Sequence, residues 1–344
     1  MKHLRTRYYL VMTVLALLAA CSPGASPGET PIVPLTGGTP AGQPVLIQHQ
    51  LIPNQLPGQR STHAGDQDSS SMAAKKTVPG GDRFTFGMFE RPFNANTMDV
   101  YFPSLDIQDA LLYQDDTWVY GVIIVKGREA NDGLPGKYAL ELDLDRDGRG
   151  EYLVMVAHPA SADWTTDGVQ VWADADGDVG GTTVVRSDDV PSNGDGYEML
   201  IFDQGRGQDA DAAWARISPD DPPAIQLAVK RSILGGATAY MAGMWAGNDV
   251  LNPALFDIND HFTHDQAGEA SKDLEYYYPI KQVSELDNTC RMTVGFVAAG
   301  NEPLLCAAAV PPSESGCFAY GHACSIAAEC CSGVPCTGGR CRYP

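Results

Sequence analysis

The chain has 344 residues, 44% of them hydrophobic and 8% aromatic, with 43 acidic against 23 basic side chains and a formal net charge of −20. A surface this acidic repels phosphate backbones and anionic headgroups, which argues against nucleic acid as a partner, and it attracts divalent cations. The length suffices for one large domain and a small one.

The first seven residues carry Lys2, Arg5 and Arg7 and no acid, and an apolar run from Tyr8 to Ala20 follows. At about a dozen residues this run is short for a hydrocarbon layer of about 30 Å. A basic start, a short apolar core and small residues at its end predict an export signal over residues 1–20. Leu18-Ala19-Ala20-Cys21 resembles the lipobox of bacterial lipoproteins, whose Cys is acylated with diacylglycerol as the signal is cut before it. The resemblance implies a chain anchored to the lipid bilayer through Cys21, in the cell envelope or at the cell surface, outside the cytoplasm. Loss of the signal removes three cations and no acid, taking the formal charge from −20 to −23. The nine cysteines are odd in number; with Cys21 given to lipid, the rest all follow residue 289 and suit an oxidising compartment.

From Ser22 to Asp82 the chain is rich in Pro, Gly, Ser and Thr and has no Phe, Trp or Tyr. Such a composition predicts a disordered stalk over residues 21–82, with an r.m.s. reach of about 40 Å. Gly24-Ala25-Ser26-Pro27-Gly28 matches the G-x-S-x-G hydrolase pattern, but no strand precedes it and a Pro follows the Ser, so it carries no catalytic meaning.

Residues 83–285 read as strands: Trp118 to Val125, Tyr138 to Leu142, Tyr152 to Ala157, Val169 to Trp172, Thr182 to Val185, Tyr197 to Phe202, Ile225 to Val229 and Ala237 to Met244. Asp211 to Ile217 reads as a helical turn or two. Short strands at this spacing, separated by turn residues, predict an all-β fold, an antiparallel β-sandwich. The early Trp118-Val119-Tyr120-Gly121-Val122 strand, the acidic strand pair and the late Gln226-Leu227-Ala228-Val229 strand before Leu234-Gly235 weakly resemble DOMON and family-9-like carbohydrate-binding modules. That resemblance implies a ligand-binding sandwich.

Two acidic turns interrupt the strands. Asp143, Asp145 and Asp147 alternate before Gly148, as in the first half of a calcium loop. The twelfth position, where a helix-flanked loop has its bidentate Glu, is Val154, so Glu151 is the nearest acid able to close a shell. Asp174, Asp176 and Asp178 repeat the theme around Gly177. Calcium is therefore the expected cofactor, although Asp and Gly also make good turns without a metal. Trp164 sits in a polar loop between Asp163 and Asp167, either as an exposed platform for a sugar face or as a plug over the sheet. His261 and His264 lie beside Asp257 and Asp260, a weak zinc pattern better read as a hydrogen-bonded loop. No catalytic motif stands out.

The last cysteines are Cys317, Cys324, Cys330, Cys331, Cys336 and Cys341. The spacing, with its adjacent Cys330-Cys331 pair, resembles the inhibitor cystine knot, or knottin, family and predicts a small module over residues 313–344. The family's pairing would join Cys317 to Cys331, Cys324 to Cys336 and Cys330 to Cys341. The Gly338-Gly339 pair suits a hairpin turn. Cys290 and Cys306 would close a hairpin within a connector, residues 286–312; a loop of about 15 residues gains about 3 kcal/mol in the chain-entropy model. Together these features predict a lipid-anchored binding protein for a glycan or an extracellular protein ligand. The alternatives are an adhesion protein acting through protein contacts and a displayed knottin-type protease inhibitor.

Overall fold

The computed structural model describes residues 47–71, 82, 84, 87–131, 133–179, 194–218, 223–268, 280–300 and 302–306, and the backbone of 336–337 and 340–341. Cys21, Thr182 to Val185, Cys317, Cys324, Cys330 and Cys331 lie outside the described residues, and so does the side-chain pairing of Cys336 and Cys341.

The fold is all-β. Numbered in chain order, the strands are β1 (Thr62–Gly65), β2 (Glu90–Arg91), β3 (Ile107–Gln114), β4 (Trp118–Val125), β5 (Lys137–Asp143), β6 (Tyr152–Ala157), β7 (Val169–Ala173), β8 (Met199–Asp203), β9 (Arg206–Gly207), β10 (Ala213–Ile217), β11 (Ala224–Lys230), β12 (Tyr240–Gly247), β13 (Leu286–Asn288), β14 (Met292–Val294), β15 (Cys336–Thr337) and β16 (Arg340–Cys341). One antiparallel sheet has the order β1-β3-β4-β11-β10, and a larger one runs β2-β13-β12-β5-β6-β7-β8-β9 with β14 also on β12. The described helices are short, including α1 (Ile258–His261) and α2 (His264–Ala267).

Alternation of side chains along each strand decides what each face meets. Ile107, Leu112, Val119, Ile123 and Leu227 of the smaller sheet share one hydrophobic core with Leu140, Leu142, Val154, Val171 and Met244 of the larger. The approach is close at Gly121, where an added Cβ would lie 3.0 Å from Met244 Cε and 3.3 Å from Leu140 Cδ2. The larger sheet is apolar on its other face too. There Ala139, Leu153, Met155 and Trp245 pack under Phe84, Phe89, Leu251, Phe256 and Ile258. Burial on both faces is why β6 reads as a nearly continuous apolar run.

The smaller sheet's outer face carries Trp118, Tyr120 and Trp214, with Leu56 and Trp164 packed against them. This contact corrects the stalk expectation for residues 47–71. Thr62–Gly65 is a strand, pairing Thr62 with Leu112 through to Gly65 with Asp109. Asp211 captures the segment ahead of it, accepting the Gln50 and Leu51 amides at 2.9 and 2.8 Å and His49 Nδ1 at 2.8 Å. The His49 ring lies 4.5 Å from that of Trp214. Asp82, the last residue of the expected stalk, is buried in an ion pair with Arg91 at 2.7 Å. Composition measures only the apolar surface a segment can bury within itself. Here the aromatic surface is lent by the domain.

Three further expectations change. Asp211 to Ile217 contains strand β10 rather than helical turns, held to β11 in the register Ala213–Val229. The 286–312 region is not a separate connector, since β13 and β14 both pair with β12. The Cys290–Cys306 disulfide forms, but the chain returns through a parallel bridge of Arg291 with Leu305 instead of a hairpin. The strands β15 and β16 pair, Cys336 opposite Cys341; Gly338 and Gly339, expected as a turn, lie outside the described residues.

Burial alone raises Asp211, but the Gln50 amide, His49 and the Leu51 amide outweigh it and hold its carboxyl below the usual range. Asp211→Ala removes the acceptor of two part-buried amide hydrogen bonds, so it is expected to cost about 1–2 kcal/mol in urea unfolding. Amide exchange at Gln50 and Leu51 should then rise towards that of an unfolded chain, with β11 unaffected.

Candidate functional site: two acidic turns and a polar groove

The register Leu142–Tyr152 brings the chain out of β5 and back into β6 through the first acidic turn, residues 144–151. Since β7 runs antiparallel to β6, with Tyr152 opposite Ala173, the second turn leaves β7 at that same edge. The Asp174 amide donates to Glu151 O at 3.1 Å, joining the two turns directly.

Asp143, Asp145 and Glu151 each bring a carboxylate oxygen within 4.8 Å of the others. Asp147, expected with them, is not part of this trio; its Oδ1 accepts the Arg149 amide at 2.9 Å. Asp143 is buried and shapes the turn, accepting the Arg146 amide at 2.5 Å and the Gly148 amide at 2.8 Å. Glu151 accepts the Leu144 amide. Burial pushes the Asp143 carboxyl up to about 7 against the pull of Arg291 and the two amides. Burial, then the charges of Asp143, Asp145 and Asp147, pushes Glu151 up to about 7 as well.

The second turn has the same design. Asp174 Oδ1 accepts the Gly177 amide at 2.8 Å and its Oδ2 the Val179 amide at 3.0 Å. Asp174 and Asp176 converge with Glu198, while Asp176 and Asp178 converge with Asp195, again within 4.8 Å. Burial, then Asp176 and Asp195, raises Asp178. Asp195 and Glu198 escape a reading by local spacing because they return from beyond residues 180–193. Both clusters offer oxygen donors only, which suits a hard divalent cation. They could bind a metal ion.

The disulfide-closed segment backs the first turn. Gly148 has a φ of +96°, and a Cβ there would lie 2.6 Å from Pro303 Cβ, so glycine is required on both counts. Arg291, beside Cys290, pairs with buried Glu141 and reaches Gly148 O at 3.3 Å. Glu141 also accepts Trp245 Nε1 at 2.6 Å. The Arg146 guanidinium lies over the Phe296 ring at 5.0 Å.

The loop carrying Trp164 lies beyond the other end of β6. It is stitched to the smaller sheet by reciprocal Thr165–Ala215 hydrogen bonds of 2.9 Å. Trp164 is half-buried: its Nε1–H donates to Asn54 O at 2.9 Å, and Arg216 stacks on its ring at 4.5 Å. The indole therefore caps the aromatic cluster and is not a bare platform. Asp163 is exposed nearby. A groove of about 210 Å³ opens beside it, lined by His158, Ser161, Thr165, Asp167 and Arg216. Arg216 belongs to both the groove and the Trp164 stack, and only the strand register could have revealed it. His261 Nε2 lies 3.1 Å from Phe256 O and the His264 ring 5.3 Å from Phe84; among the described residues no histidine joins a metal-ligand cluster.

No family model matches the chain, and no curated protein or solved structure matches it significantly.

The raised carboxyls set a pH dependence. A carboxyl whose folded pKa exceeds its unfolded one holds its proton longer when folded, so rising pH favours unfolding between those two values. For Asp143 and Glu151 that window runs from about 4 to about 7. In a chelator, the melting temperature is expected to fall as pH rises through this window. A divalent ion bound at the trio would compete with protons and reverse that slope; differential scanning calorimetry with and without millimolar calcium, at matched ionic strength, checks both arms.

Proposed function

We propose that this chain is a lipid-anchored, extracytoplasmic binding protein whose β-sandwich holds calcium at its acidic turns and takes a glycan in the groove beside Trp164. The observation that carries the reading is the meeting of Arg216, Asp167 and Ser161 around one opening, with Arg216 held in place by its stack on the Trp164 ring. A guanidinium, a carboxylate and a hydroxyl can satisfy the donor and acceptor pattern of sugar hydroxyls, while Val156 and Pro159 supply apolar contact. The acidic turns and the groove sit at opposite ends of β6, so calcium would act by fixing strand ends and would not touch the ligand. The leader and Cys21 supply the export and the anchor in this reading. The Cys290–Cys306 bridge supports an oxidising compartment. Met199 and Leu200, both exposed on β8, favour protein contact as a second reading.

The test is a polysaccharide binding screen on the chain from Ser22 onward, in calcium and in EDTA below the melting temperature. Arg216→Ala is expected to abolish binding, and Trp164→Ala to weaken it at least tenfold, with the fold intact by circular dichroism. Asp145→Asn should leave affinity unchanged while lowering thermal stability in calcium. Absence of binding to any glycan by the folded chain would reject the glycan ligand and favour protein contact at β8.

A further inference from the structure

A second set of carboxylates lies away from the acidic turns, with Asp66 half-buried and Glu90 and Asp287 buried. Asp66 follows β1, at the edge of the smaller sheet, while Glu90 on β2 and Asp287 on β13 are cross-strand partners in the larger one. One carboxylate oxygen from each lies within 4.8 Å of the others. Glu90 is 3% exposed and Asp287 0%. Asp287 Oδ2 accepts the Ile107 amide at 2.7 Å, but its Oδ1 is buried with no hydrogen-bond partner. Asp106 stands close by, its Oδ2 accepting the Ser69 amide at 3.0 Å and the Tyr101 hydroxyl at 2.5 Å. Among the described residues, two nearby cations pair with other acids. Arg91 is held by Asp82, and Lys126 by Asp68 at 2.5 Å.

We propose that Asp66, Glu90 and Asp287 form an internal binding site for a single calcium-type divalent cation, which clamps the N-terminal segment to the margins of both sheets. Buried carboxylates this close are costly unless protonated or neutralised by a cation. Burial first, and then the charges of Asp66 and Asp287, drives the Glu90 carboxyl well above its ordinary range; burial, then Asp66 and Asp106, does the same to Asp287. One shared proton can link two carboxylates. Three converging ones leave a third oxygen unmet, which is the condition of Asp287 Oδ1. A cation meets all three together. Calcium takes oxygen ligands at about 2.3–2.6 Å, so ligands on opposite sides of it stand about 5 Å apart, compatible with this spacing. Magnesium demands a tighter octahedron and keeps its waters, and zinc prefers nitrogen and sulfur. The site does not depend on the acidic turns or on the ligand of the groove.

Native mass spectrometry of the chain from Ser22 onward, exchanged from millimolar calcium into volatile buffer, tests this by counting ions. A variant with Asp145→Asn, Glu151→Gln, Asp176→Asn and Glu198→Gln, all at exposed or half-buried turn positions, removes ligands from the surface clusters only. It is expected to retain one calcium per chain. Adding Asp287→Asn should remove that last ion. Retention of no calcium by the turn variant would overturn the internal site, whether or not the Asp287 substitution folds; retention of the ion after Asp287→Asn would overturn it equally. If instead the turn substitutions remove no calcium, the surface clusters are not metal sites, and the internal one stands or falls by the Asp287 comparison alone.

Discussion

Carboxylates crowded out of water must be neutralised, and this constraint governs more of the structure than any single packing contact. An ionised carboxylate in a low-dielectric setting is tolerated only beside a cation, a proton or several amide donors. The protein uses each answer in a different place. Arg91 neutralises Asp82 and Arg291 neutralises Glu141, both deep inside. Backbone amides wrap Asp143, Asp174 and Asp211. Where neither answer is complete, at the acidic turns and at the Asp66–Glu90–Asp287 cluster, burial and like charges drive carboxyls such as Glu151 and Glu90 above their ordinary range.

The shared core makes these arrangements rigid. Two sheets facing one another over Leu140, Val154, Ile123 and Leu227 hold strand ends in fixed relation, so that two successive turns present their acids at one edge. The disulfide adds a brace from behind, setting Pro303 against Gly148, where only a glycine fits. The aromatic cluster of Trp118, Tyr120 and Trp214 does similar service on the outside, fastening a segment whose own composition promises no order.

Much of this was legible in the residues themselves. The strands from Trp118, Tyr138 and Tyr152 could be read because period-two alternation and branched side chains are local signals. So could the acids of the two turns, which fall at alternate positions in one loop. Strand β10 was hidden because Ala-Trp-Ala-Arg-Ile carries little branching, and its register comes from β11. The docking of residues 47–71 was hidden for a different reason, since the partner supplies the apolar surface. Asp195, Glu198, Arg216 and the Asp66–Glu90–Asp287 cluster are assembled by topology, from positions too far apart in the chain for spacing to suggest them.

A divalent cation such as calcium would neutralise the remaining clusters in a chain of formal charge −20. Crystals grown in calcium, measured at a wavelength where calcium scatters anomalously, address this most directly. Difference peaks should fall between Asp143, Asp145 and Glu151, at the Asp174–Asp178 turn, and among Asp66, Glu90 and Asp287. A map with no peak at any of them, with the carboxyls instead hydrogen-bonded to one another, would contradict the metal-bound reading and leave protons as the neutralising charge.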